Sequence, residues 1–166
     1  ADQALSRGEI AKLALYAAGK GSVSEEDIDA VVGDSAEIAV ESFVYEVSAG
    51  DAKSALRELH RLSAGGTDPQ TALSALGRHY GQLYRLAAAQ AGGASVDQAM
   101  RQLRPRPHFK RERAFVAHSR RIGARKLLDA MPLIQNAIKQ ARLNAELEQD
   151  FAERLVLALT STPERG

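Results

Sequence analysis

Few side chains in this 166-residue sequence are of a type and spacing that could do catalytic or metal chemistry. There is no cysteine, which excludes disulfide bonds, thiolate zinc sites and cysteine nucleophiles. No two histidines lie three or four residues apart, so no helix presents a pair of imidazoles to a metal ion. We expect no metal site, no cofactor, and surface or groove-lining positions for the histidines, which are His60, His79, His108 and His118.

Phosphate-binding and acid–base motifs are also weak. The sequence GKGS at residues 19–22 lacks both the P-loop frame and a preceding strand, and is typical of a turn that ends a helix. Acidic residues at 25–27 and 146–150 are explained by helix-start charge and by a solvated helix face. Spacing alone leaves open a Ser-His-acid triad assembled in space. The sequence therefore contains no catalytic residue that we can name.

Charge is distributed unevenly along the chain. The formal net charge is +1, but residues 1–60 carry 12 acidic and 5 basic side chains, a net −7, and the remainder carries a net +8. Residues 101–126, here called the basic segment, contain ten basic side chains and one acidic one, Glu112. An anionic partner is attracted to such a segment. No apolar run approaches the roughly 18 residues that span a membrane, so we expect no membrane contact.

The basic segment holds the candidates for contact with DNA or a partner protein. Pro105 and Pro107 stiffen a loop, and its cations continue into a predicted helix start, where positive charge opposes the helix dipole. Phe109 or Phe115 could stack on a base. In the alternative reading, Phe109 packs into the core and the cations only solvate the loop. The contact candidates are Arg104, Arg106, Lys110, Arg111, Arg113, Arg120 and Arg121.

Helical spacing predicts the elements that position these residues. Apolar residues recur every three or four positions, and no stretch alternates long enough to form a strand, which predicts an all-α fold. We expect nine helices, with a break at Gly33. That break and the shift in composition predict a small helical unit at residues 1–34 and a helical bundle at residues 35–166. Helix starts are signalled at Ser6, Ser24, Asp51, Asp68-Pro69 and Ser95.

A long helix is predicted from Pro69 to about Gln90. Gly77 and Gly81 lie on one face of it, at a cost of about 1 kcal/mol each relative to Ala, and would let another helix approach closely. Gly77, Gly81 and Tyr84 are therefore candidates for an interface. Tyr80 lies on the apolar stripe of the same helix, and a core position is at least as compatible with this pattern as an interface position.

The order of these segments resembles that of a known protein family, the delta subunit of the bacterial DNA polymerase III clamp loader, in its C-terminal part. Each motif alone is weak, and their order and spacing from about residue 1 to residue 159 carry the resemblance. The matching stretches are 5–16 (LSRGEIAKLALY), 23–33 (VSEEDIDAVVG), 49–56 (AGDAKSAL), 76–83 (LGRHYGQL) and 106–111 (RPHFKR).

The resemblance implies a non-catalytic assembly role in DNA replication. Residues 1–34 correspond to the end of a lid domain related to AAA+ ATPases, and residues 35–166 to a helical collar domain. In the family, the collar packs against the gamma or tau motor subunits and delta-prime, in a ring that loads the sliding clamp onto primed DNA. Primer–template DNA is a further candidate partner. Arg7 falls at the position of a nucleotide-sensing arginine, implied to be vestigial.

The resemblance also implies where the other activities of the complex lie. Contact with the sliding clamp is expected only through an N-terminal domain outside these residues, so the chain is expected to be a fragment. The parent subunit belongs to a DNA-directed DNA polymerase holoenzyme, a nucleotidyltransferase, in the nucleoid-associated replisome of the bacterial cytoplasm. The chain is not expected to be an enzyme by itself.

Two other hypotheses follow from the residues. One is a free-standing helical nucleic-acid-binding domain outside replication that uses the basic segment. The other is an enzyme of unknown chemistry, which requires a buried pocket with a strongly perturbed titratable group.

Overall fold

The computed structural model describes residues 7–161, and this part of the chain is all-α, with no strand. Two short 3₁₀ turns, Phe109–Arg111 and Ala145–Leu147, precede α6 and α8. No helix in these residues is long and apolar enough to cross a membrane. The helices are α1 (Arg7–Lys20), α2 (Glu25–Ala49), α3 (Ala52–Ala64), α4 (Pro69–Ala91), α5 (Val96–Gln102), α6 (Glu112–Ile122), α7 (Ala124–Leu143) and α8 (Glu148–Thr160).

Most of the predicted helix starts are confirmed by hydrogen bonds. Ser24 and Asp27 form a reciprocal capping box, in which each side chain accepts from the other residue's backbone N–H. Ser95 and Gln98 do the same at the start of α5. The side chain of Asp51 accepts from the N–H of Ser54. These bonds satisfy N–H groups that a helix leaves without a partner in its first turn. The predicted cap at Ser6 lies outside the described residues.

The predicted break at Gly33 is wrong. Helix α2 runs without interruption from Glu25 to Ala49, so two expected helices are one. Gly33 is exposed and has helical backbone, and a Cβ added to it would meet nothing within 4 Å. The helix instead ends at Gly50, whose φ of 81° is the left-handed conformation that favours glycine. A glycine in an exposed helix interior weakens the helix without ending it.

Helix α4 lies at the centre of the bundle and packs against α2, α3, α5, α6, α7 and α8, most extensively against α7. Its buried stripe includes Leu73, Leu76, Tyr80 and Leu83, so Tyr80 is a core residue. Helix α7 continues through Pro132, which is exposed. The basic segment is therefore attached to a core whose central helix contacts almost every other element.

Helix α1 and the first part of α2 contribute no buried residue to this main core. Its buried apolar residues run from Phe43 to Val156, and the buried side chains Leu13 of α1 and Val31 of α2 lie outside it. Helix α1 packs against α2. Helix α2 crosses the predicted boundary at residue 34 as a single helix. The division of the chain into residues 1–34 and 35–166 stays a prediction.

Replacing Gly33 tests the continuity of α2. In a helix interior with open space around it, Gly33→Ala should raise the free energy of unfolding by about 0.5–1 kcal/mol, because alanine loses less backbone entropy on folding. Gly50→Ala is the matched comparison and should lower it by about 1–2 kcal/mol, because the φ of 81° strains any residue with a Cβ. Urea denaturation followed by circular dichroism measures both. A lower free energy of unfolding for Gly33→Ala would contradict a continuous helix and would favour the predicted break at Gly33.

Candidate interaction surface

The hydroxyl of Ser48 joins three helices beneath the basic segment. Its Oγ lies 2.8 Å from Nε2 of His79 on α4 and 2.7 Å from Nδ1 of His118 on α6. Ser48 itself is on α2 and is fully buried. A hydroxyl has one proton to donate, so at least one imidazole must donate its N–H to Oγ. The hydroxyl of Ser48 also lies 3.3 Å from the carbonyl oxygen of Tyr45, so this buried group has several hydrogen-bond partners.

Aromatic rings surround these imidazoles. The ring of Tyr45 is centred 4.7 Å from that of His79 and 5.9 Å from that of His118, and Phe115 lies 6.0 Å from His79. Burial among these groups, together with the neighbouring His118 and Arg111, lowers the pKa of His79 to about 3. Burial, with Arg121 and Arg111, also lowers the pKa of His118. Both effects favour neutral imidazoles.

This arrangement is not a working Ser-His nucleophile. Ser48 has no exposed surface, so a substrate carbonyl cannot approach its Oγ. No carboxylate of residues 7–161 is hydrogen-bonded to either imidazole, so the orienting group of a triad is missing. The strongly shifted pKa of His79 is explained by burial in the core. The cluster fixes α2, α4 and α6 relative to one another.

Two of the predicted contact arginines also hold α6 against α2. The Nε of Arg111 donates to Oε1 of Glu41 at 2.9 Å, and its guanidinium lies 4.8 Å from the centre of the Tyr45 ring. Arg121 donates to the backbone carbonyl of Ser48, at the C-terminal end of α2. A cation is favoured there by the helix dipole. Both arginines therefore have structural partners within the chain.

Hydrogen bonds anchor the proline-containing loop between α5 and α6. The guanidinium of Arg104 donates to the carbonyls of Arg101 and Leu103, and the amide of Gln82 donates to the carbonyls of Arg104 and Pro105. The Nε of Arg106 pairs with Glu112 at 3.0 Å. The loop is thus attached to α4 at one end and to α6 at the other.

A groove of about 930 Å³ lies between this loop, α2 and α4, and its surface is mostly apolar. Cations line the α4 and loop sides, and carboxylates line the α2 side. The lining includes Arg78, Arg85, Arg104 and Arg106, the carboxylates Glu37 and Glu41, and the apolar residues Val40, Val44, Phe115 and Met131. Such a cleft suits a segment with an apolar face and charged edges.

The groove brings together residues that the sequence predicted separately. Gly77 and Gly81 line it beside Arg104 and Arg106. A Cβ on Gly77 would contact Ile134 of α7 at 3.6 Å, whereas a Cβ on Gly81 would meet nothing within 4 Å. Only Gly81 therefore leaves open space for another chain. Tyr84 is half-buried against the core and is not part of the lining.

The remaining predicted candidates are exposed and dispersed. Lys110, Arg113 and Arg120 are exposed on the 3₁₀ turn and on α6. Arg7 is exposed at the start of α1. The two phenylalanines differ: Phe115 is buried, and 72% of Phe109 is exposed, so Phe109 does not pack into the core.

The Ser48 cluster was not predicted from the sequence, although the sequence contains one signal for it. His79 follows Leu76 by three residues and precedes Leu83 by four, which places it on the buried stripe of α4. The expectation of surface or groove-lining histidines holds for exposed His60 and His108. His79 also lines the groove, although it is only 8% exposed and most of its ring is in the core. Arg78 and Arg85 of the groove, seven residues apart on one face, were also missed.

Comparison of the chain with protein-family models, with curated proteins and with solved structures gave no match. Residues 7–161 contain no group of three or more His, Asp or Glu side chains that could hold a metal ion.

The buried histidine predicts a pH dependence of stability. Between pH 6.5, the ordinary pKa of histidine, and about 3, the unfolded chain binds a proton at residue 79 that the folded chain does not. The free energy of unfolding therefore falls as the pH drops below 6.5, by up to about 1.4 kcal/mol per pH unit. His79→Gln, which keeps an N–H for Ser48, should flatten this slope in urea titrations. His60→Gln, at an exposed site, is the control; equal slopes for both variants would contradict the prediction.

The neighbours Arg111 and Lys110 should differ in their effect on stability. Arg111→Ala removes an ion pair and a cation–π contact, and should lower the free energy of unfolding by about 1 kcal/mol. Lys110→Ala alters an exposed side chain and should change it by less than about 0.5 kcal/mol. Thermal denaturation of the two variants compares them directly. Equal effects would mean that the contacts of Arg111 contribute nothing to the fold.

Proposed function

We propose that this chain is a non-catalytic assembly module of a bacterial DNA polymerase III clamp loader, in the position of the delta collar. The groove carries the proposal, because it places Gly81, a predicted interface residue, in open space between an apolar surface and two edges of opposite charge. A domain that packs against neighbouring helical subunits needs such an unfilled surface. The family is proposed from the order of the sequence motifs, and the all-α fold is compatible with it.

Exposed apolar side chains on the N-terminal helices support the same proposal. Four large ones are at least one-third exposed on α1 and the first part of α2, and they are Ile10, Leu15, Ile28 and Ile38. Burying side chains of this size contributes about 1.5–3 kcal/mol each. We propose that these helices pack against the rest of a lid domain, with Arg7 as the vestigial sensor position. The partners proposed for the whole chain are the gamma or tau motor subunits and delta-prime.

The cellular setting follows from the same proposal. The parent subunit would work in the bacterial cytoplasm, at the nucleoid-associated replisome, as part of a nucleotidyltransferase holoenzyme. It would reach the sliding clamp through a separate N-terminal domain. The alternative is a free-standing helical nucleic-acid-binding domain, favoured by the exposure of Lys110, Arg113 and Arg120 in the basic segment.

Light scattering of the chain mixed with motor and delta-prime subunits tests the assembly role. We expect a stoichiometric complex. Gly81→Leu should weaken it by about tenfold or more, because a leucine side chain fills the open part of the groove. Gly19→Leu is the matched control, at an exposed helical glycine on α1 with open space around it.

Two results would count against this role. One is the absence of any complex when all components are folded, which would leave the free-standing alternative to be tested with DNA. The other is a complex that Gly81→Leu and Gly19→Leu affect equally, which would move the interface away from the groove.

A further inference from the structure

A second cavity, of about 500 Å³, lies at the end of the bundle where α2, α6 and α8 finish. It shares no residue with the groove. Helix α4 contributes Tyr80 to its wall, and α7 contributes several side chains. Its volume falls within the range of small-molecule sites, and both polar and apolar side chains line it, as is usual for such sites.

The side chain of Tyr80 brings to this cavity a hydroxyl group that the fold leaves unpaired. The residue is 2% exposed, and its hydroxyl has no hydrogen-bond partner among the residues that the structure describes. A buried hydroxyl without a partner destabilises a fold, because it gives up its hydrogen bonds to water. A phenylalanine would fill the same space without this cost, so a bound ligand explains the hydroxyl better than core packing does.

The guanidinium of Arg121 lies near this hydroxyl and is held in a defined position. It donates to the backbone carbonyl of Ser48, and it packs over Gly50, where an added Cβ would lie 3.2–3.3 Å from its atoms. Burial raises the pKa of Tyr80, and the positive charge of Arg121 opposes this rise because the two groups are close. A guanidinium has five N–H donors, so the bond to Ser48 leaves donors for a ligand.

The other charges of the cavity favour a ligand with a single negative charge. Lys126 is exposed on α7 and adds a second cation, whereas Asp129 pairs with Arg125 at 3.3 Å. The C-terminal ends of α2 and α8 lie at the same cavity, and helix C-termini oppose negative charge. The side chains of Thr160 and Ser161 already donate to carbonyls of α8, which reduces this opposition. A monoanion is therefore better accommodated than a dianion.

The rest of the wall is apolar, and an inorganic ion would leave it in water. Leu133 of α7 is 51% exposed, and Ile122 and Leu159 are only partly buried. Removing such surface from water is favourable roughly in proportion to its area. An organic ligand with an apolar body covers these side chains, whereas inorganic phosphate does not.

We propose that this cavity binds a small organic carboxylate, whose oxygens accept hydrogen bonds from the hydroxyl of Tyr80 and the guanidinium of Arg121 and whose apolar body covers Leu133. A planar carboxylate matches the geometry of a guanidinium and carries the single negative charge that the cavity accommodates. The site goes beyond the proposed assembly role and requires no ring subunit.

Isothermal titration calorimetry of the whole chain with octanoate tests the site. Tyr80→Phe removes only the hydroxyl and should weaken binding on the order of tenfold, since it deletes a hydrogen bond to a charged group. Tyr84→Phe, at a half-buried tyrosine of the same helix outside the cavity, is the matched control and should bind octanoate like wild type. Octanol, which has the same chain length but no charge, should bind at least about tenfold more weakly than octanoate.

The charge and the location of the site are tested separately. Lys126→Gln should weaken octanoate binding by about two- to fivefold, because it removes an exposed cation from the cavity. Lys139→Gln, at an exposed position elsewhere on α7, should leave it unchanged. In ¹H–¹⁵N NMR spectra, octanoate should shift the backbone amide signals of Gly50 and Ser161, which line the cavity, and leave that of Gly19 on α1 in place.

Tyr80→Phe also has an expected effect on the unliganded chain. Because the hydroxyl has no partner in the fold, its removal should leave the free energy of unfolding unchanged or raise it. Urea denaturation without octanoate measures this. A lower free energy of unfolding would mean that the fold itself uses the hydroxyl, and would overturn the proposal. So would no binding of octanoate, equal affinity of wild type and Tyr80→Phe for it, or tighter binding of inorganic phosphate.

The assembly experiment separates this site from the proposed function. Tyr80→Phe should still form the complex with motor and delta-prime subunits, and Gly81→Leu should still bind octanoate, because Gly81 does not line the cavity. A chain that binds octanoate but no subunit would sustain the site and reject the assembly role.

Discussion

The buried hydroxyl of Ser48 is the contact on which the relative positions of α2, α4 and α6 depend. A buried polar group is tolerated only when it is hydrogen-bonded, and the buried Ser48 and His79 meet this condition through one set of bonds that includes the partly buried His118. Moving any of the three helices would break that set. Because α6 begins directly after the proline-containing loop, the same cluster indirectly determines where the loop and the groove lie.

The basic segment contains two groups of cations with different roles. Arg104, Arg106, Arg111 and Arg121 donate to carbonyls or carboxylates of the chain itself. These bonds hold the loop and α6 in place. Lys110, Arg113 and Arg120 are exposed and remain accessible to a partner. Part of the local excess of positive charge therefore positions the loop, and only the exposed part is left for an anionic partner.

Local signals in the sequence were sufficient to predict most helix starts but not the contacts between the helices. Capping at Ser24, Asp51 and Ser95 depends on residues three apart and was predictable from the sequence. The continuity of α2 through Gly33 was not, because a glycine's backbone conformation depends on the chain around it. The partners of Ser48 lie 31 and 70 residues away, and the contact between Arg111 and Glu41 also spans 70 residues. No periodic pattern encodes such pairings.

Helix α2 is unbroken and has two parts with different surroundings. At 1.5 Å per residue its 25 residues span about 37 Å, and its first part lies outside the main core. Its second part contains Glu41, Tyr45 and Ser48, which contact Arg111 and the imidazoles. One unbroken helix therefore connects the surface on which α1 packs to the groove wall and to the partners of Arg111.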